Sequence, residues 1–98
     1  MGIDRRGAYD RLAVLGTYMA AKGLVTKLTA DGLRVSNPQV KGGEEAADTV
    51  TCRPRPEDGD ELWFYTGRQE PITPAYDIID AAVHIIGHLN RRAGGEER

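Results

Sequence analysis

The chain has 98 residues, and its 13 Lys and Arg stand against 15 Asp and Glu for a formal net charge of −2. That length holds one domain with one hydrophobic core, and the acidic balance argues against a protein that grips phosphate over its whole surface. Its single cysteine, Cys52, rules out an intramolecular disulfide, and no apolar run approaches the roughly 20 residues that cross a bilayer.

The opening MGIDRRGAYD lacks the apolar stretch of a signal peptide, so the cytoplasm is the expected location and no membrane partner is expected. The first helix is predicted from about Asp4 to Lys22. Ala8, Tyr9, Leu12, Leu15, Gly16 and Met19 recur at helical spacing on one side. Asp4 is the expected N-cap and Gly23 the residue that ends the helix. Val14, Tyr18 and Ala21 make a second apolar group on the back of this helix, more than a monomer edge needs.

At Leu24 the period changes to two. Leu24-Val25-Thr26-Lys27-Leu28-Thr29 and Leu33-Arg34-Val35-Ser36 flank an Asp31-Gly32 turn, the pattern of a hairpin. The stretch 38–48 has no apolar periodicity and is predicted as a mobile surface loop. Thr49–Arg53 is a third predicted strand and Glu61–Thr66 a fourth, with an acidic turn between them. In the fourth, Leu62 and Phe64 point one way and Trp63 and Tyr65 the other. Both of its faces therefore call for cover. Gly67–Ile72 is expected to be a connecting loop. Thr73 then resembles an N-cap with Pro74 at the first helical position. The second helix should run to about Arg92 with Ile78, Ala82, Ile85 and Leu89 inward, widened by Ile79 and Ile86. Its opposite side should carry Asp77, Asp80, His84, His88 and Arg91, and the tail 93–98 should fray.

The predicted fold is thus one α+β domain over residues 1–98. Its order is α-β-β-β-β-α, with an antiparallel four-stranded sheet and both helices on one face. No βαβ crossover is expected, so the doubly wound nucleotide folds are excluded.

No phosphate-binding, dinucleotide or nucleophile-elbow motif occurs, and no cofactor is implied. Asp80, His84 and His88 share one side of the second helix at i, i+4, i+8. Two histidines four apart can hold a metal, although the glutamate of an HExxH hydrolase is replaced by Ile85. Set opposite the apolar stripe, the three read more simply as a solvated face. Cys52 alternates with Val50 on an apolar face and reads as a core residue rather than a nucleophile.

The order of elements approaches that of the double-stranded-RNA-binding domain. There a lysine cluster begins the second helix, whereas Thr73-Pro74-Ala75-Tyr76-Asp77 is acidic and one strand is surplus. A local patch of Arg53, Arg55 and Arg68, with Trp63 or Tyr65 as a stacking surface, keeps a nucleic-acid-associated regulator as the alternative reading. The leading expectation is a non-enzymatic interaction module, an accessory, regulatory or chaperone-like homodimer whose partner is itself, another protein, or both. It would use Trp63 and Tyr65 on the outer sheet face, Val14 and Tyr18 on the back of the first helix, or both. A small ligand- or metal-dependent enzyme is the third reading.

The segment Trp63-Phe64-Tyr65-x-x-x-x-Glu70-Pro71-Ile72-x-Pro74-Ala75, running into an Ile/Ala-rich helix, resembles short proteins of high-GC actinobacteria, as does the Leu28–Val35 hairpin. Those proteins carry no established activity. The resemblance implies a host group and no site residues.

Overall fold

A computed structural model describes residues 5–38 and 47–94. Helix α1 (Arg5–Ala21) leads into strands β1 (Val25–Thr29), β2 (Gly32–Ser36), β3 (Asp48–Arg55), β4 (Glu61–Tyr65) and β5 (Pro71–Pro74), and helix α2 (Ile78–Gly94) follows. The strands form one five-stranded sheet in the order β1-β2-β3-β4-β5, every pair antiparallel. Strand β3 is long enough to serve two ladders. Its first residues pair with β2 (Leu33↔Val50, Arg34↔Thr49), and Thr51 to Arg55 pair with β4.

The local signals act as their chemistry dictates. Gly23, at φ 95, takes the left-handed turn that closes α1, and Leu24 N donates back to Met19 O (3.2 Å). The β1–β2 hairpin turns on Ala30-Asp31, with Thr29 facing Gly32. Asp4, the loop at 39–46 and the tail at 95–98 lie outside the described residues.

The sheet has five strands, not four. Pro71–Pro74 extends along β4 instead of starting a helix, with Trp63 facing Pro74 and a bulge between Phe64 and Tyr65. Proline has no N–H to give a ladder, which confines it to an edge, and β5 is the edge. Helix α2 therefore starts later than the Thr73-Pro74 signal suggests. Asp77 is its cap, accepting from Asp80 N through Oδ1 (3.2 Å), while Thr73 is buried and donates to its neighbour Pro74 O.

One core cluster joins Leu12, Leu15 and Met19 of α1 with Leu33, Val35, Val50, Cys52 and Phe64 of the sheet. It also takes in Ala81, Ala82, Ile85 and Leu89 of α2. Both helices thus cover the same face. Ile79 is not part of that core, being 60% exposed, and Ala81 is fully buried in its stead. No helix among the described residues is long and apolar enough to cross a membrane.

Candidate functional site

The face of the sheet away from the helices is built by the alternation of β3 and β4. Cys52 and Phe64 point inward, so Arg53, Arg55, Trp63 and Tyr65 point outward. The Arg53 guanidinium lies 3.9 Å from the centroid of the Tyr65 ring, and that of Arg55 lies 4.3 Å from the Trp63 ring. These are diagonal cross-strand pairs, within the reach of long side chains. Tyr65 is consequently buried at 6% exposure and Trp63 half-buried. The two aromatic rings of this face are covered by arginine rather than left bare.

The turn between β4 and β5 fixes one of the two cations. Thr66 N donates to Glu70 O (2.9 Å), and Thr66 Oγ1 accepts from the Arg68 and Glu70 amides (3.2 Å each). Gln69 is held there at φ 68, and its Oε1 accepts from Arg53 Nη2 at 2.8 Å. A non-glycine residue in the left-handed region costs free energy, and here it places an acceptor beside Arg53. Arg55 has Glu57 at 3.8 Å. Arg68 sits exposed in the turn itself.

Register adds two cations. Leu33 and Val35 are buried, so Arg34 faces outward, and the ladder sets Lys27 directly opposite it. The pair was readable in principle, because a two-residue turn at 30–31 mirrors position 27 onto 34. Thr51 Oγ1 and Trp63 Nε1, both on this face, are buried without a partner among the described residues.

The helical layer carries the second surface. Tyr9 Oη donates to Thr29 O (2.8 Å) and Thr26 Oγ1 to Gly16 O (3.4 Å), which fixes that flank of α1 toward β1. At ~100° per residue, Val14 and Tyr18 lie on the other flank. On α2, His88 Nε2 stands 3.7 Å from Asp48 Oδ2, and His84 shares a cleft of about 200 Å³ with Pro71 and Ile72. That flank faces β5, leaving Ile79 and Val83 on the flank toward α1. The helices run in the same direction, since α1 leads to the Val25↔Ser36 end of the sheet and Asn90 of α2 accepts from Asn37 there. Val14 and Tyr18 line a shallow cleft on α1 with Ala13 and Thr17. Val14 is 49% exposed, Ile79 60% and Val83 63%, while Tyr18 is half-buried with Lys22 Nζ 5.3 Å from its ring centroid.

The metal-spaced trio is divided by this arrangement. Asp80 is exposed near the start of α2, whereas His88 turns to Asp48, whose Oδ1 already accepts from the Thr49 and Gly67 amides (2.9 and 3.1 Å). Among the described residues no three His, Cys, Asp or Glu side chains converge as metal ligands would.

Cys52 lies in the core, and burial pushes its thiol from 9.0 up to about 11, against a smaller opposing pull from Arg11. A neutral thiol is a poor nucleophile. A cleft of about 760 Å³ opens beside it, lined among others by Tyr9, Leu12, Asp31 and Pro54. The folded state holds the thiol proton longer than the unfolded chain. The resulting stability is complete below pH 9 and is lost as pH rises toward 11, by about 3 kcal/mol at most. Urea unfolding at pH 8 and pH 11 should show a Cys52→Ala variant losing less stability across that interval than the parent.

Compared with protein families, with curated proteins and with solved structures, the chain gives no match.

Proposed function

We propose that this chain is a non-enzymatic interaction module, a small cytoplasmic accessory or regulatory protein that pairs with a second copy through its helical layer. The observation that carries this reading is the exposed apolar group of Tyr76, just before α2, and Ile79 and Val83 on its first turns, with Val14 exposed on α1 as well. Large apolar side chains grouped on one helix face mark contact surfaces.

The occupant is a second copy because α2 is complementary to itself. Asp77 and Asp80 stand at its N-terminal end and Arg91 at its C-terminal end. Antiparallel pairing across a two-fold axis lays each acidic end on a basic one, and the helix dipoles oppose favourably. Gly87 follows one turn beyond Val83. Among the described residues, the first atom a Cβ there would meet is the flexible end of Arg91 at 3.4 Å. Glycine within a helix costs about 1 kcal/mol relative to alanine, so a site the monomer leaves open suits close approach by another helix.

Analytical ultracentrifugation tests the pairing. The expected species is a dimer, and Ile79→Asp with Val83→Asp weakens it at least about a hundredfold, since each change is felt twice across the axis. Both side chains are exposed, so the monomer fold survives. A parent chain that stays monomeric at high concentration refutes the reading.

A further inference from the structure

The open face of the sheet serves a different ligand. We infer that it binds single-stranded nucleic acid, with Lys27, Arg34, Arg53 and Arg55 on phosphates and unpaired bases stacked over the guanidinium–aromatic layers at Tyr65 and Trp63.

Charge is segregated against the average of the chain. The molecule is net acidic, yet the outward positions of β1 to β4 carry these four cations and one carboxylate, Glu61. Lys27 and Arg34 stand directly opposite each other, a like-charge pair that costs stability in the free chain and that a phosphate between them relieves. Arg34 is level with Thr49, and Arg55 lies six residues farther along β3. The cations therefore follow a diagonal of ~20 Å, which is the path of an extended strand rather than a point site for one anion.

The stacked pairs select an unpaired strand. A guanidinium resting on a ring keeps a flat outer surface and free N–H donors, and such planes accept unstacked bases. A duplex hides its base faces and offers only phosphates. Gln69 holds Arg53 over Tyr65, so part of this platform is organised before any ligand arrives. The buried and unpartnered Trp63 Nε1 and Thr51 Oγ1 lie beneath it. Each gains an acceptor or donor when the cover above it is rearranged.

Trp63 is the only tryptophan, so its fluorescence reports on this face alone. Titration with oligo(dT) is expected to quench it, with log K falling against log salt at a slope near −3, about 0.7 per phosphate contact for four contacts. Lys27→Gln with Arg34→Gln should roughly halve that slope and weaken binding about tenfold or more. Both side chains are exposed, and the change removes a repulsion, so folding is preserved. The Ile79→Asp, Val83→Asp variant should bind oligo(dT) as the parent does, which separates this site from pairing through the helices. Absence of quenching at low salt overturns the inference, as does an unchanged slope in the double variant. Equal affinity for a duplex, for polyphosphate or for poly-glutamate also overturns it, the last assigning the face to acidic protein segments.

Discussion

Replacing Phe64 with alanine should cost about 3–5 kcal/mol, the largest loss expected from any single truncation in this fold. Phe64 is fully buried and heads the largest such side chains. It stands on β4, between Cys52 of β3 and Thr73 of the edge strand β5, and it joins the sheet to the cluster that both helices share. A domain of this size has about 5–15 kcal/mol in all, so the variant should sit near the threshold of folding. Its melting temperature should fall by ~4–8 °C for each kcal/mol lost. Urea unfolding is the measurement, with Phe64→Leu as companion at under about 1.5 kcal/mol, because most of the volume is kept. Equal losses in the two variants would show that the ring is not packed as described.

The elements whose signals are local were legible in the sequence. The switch from helical spacing to alternation at Leu24, and Gly23 before it, bound α1 and the hairpin closely. The outward placement of Arg53, Arg55, Trp63 and Tyr65 needed only the period of a strand. What escaped depends on tertiary partners. Thr73-Pro74 carries a helix-start signal, but the pairing of Pro71–Pro74 with β4 outweighs it, and Asp77 caps the helix instead. In α2 the paired alanines 81 and 82 allow close approach to the core. That rotates the helix, so Ile79 and Val83 turn outward together. A wheel that weights residues by size points the larger Ile79 inward and misses this. The Asp48–His88 approach joins residues far apart in the chain, and no spacing rule reveals it. Lys27 opposite Arg34 lies between these cases, readable once the turn is fixed at Ala30-Asp31 and invisible while it is centred on Asp31-Gly32.

That displaced turn leads to the sharpest test of the hairpin, since Gly32 is required for a reason other than the turn itself. It opens β2 at φ +140, and a Cβ added there would run into the backbone carbonyl of Val50, with the Thr49 and Thr51 methyls at 3.2 Å. A flexible side chain could move aside, but the Val50 carbonyl belongs to β3, whose neighbours Leu33 and Tyr65 are fixed in register on either side. Strained backbone costs about 1–3 kcal/mol, and overpacking against a rigid neighbour adds about 1–3 more. Gly32→Ala should therefore lose roughly 2–6 kcal/mol in equilibrium unfolding. Gly59→Ala is the reference for alanine in the ordinary left-handed region, because Gly59 has φ +68 and nothing within 4 Å of its Cβ position. If the two variants lost the same amount, close approach of β2 to β3 would play no part and glycine's conformational freedom would be the whole reason for Gly32. A larger loss at Gly32 reports the glycine-only backbone at φ +140 and the contact with β3 acting together, at the seam along which Arg34 is carried toward the cations of β3.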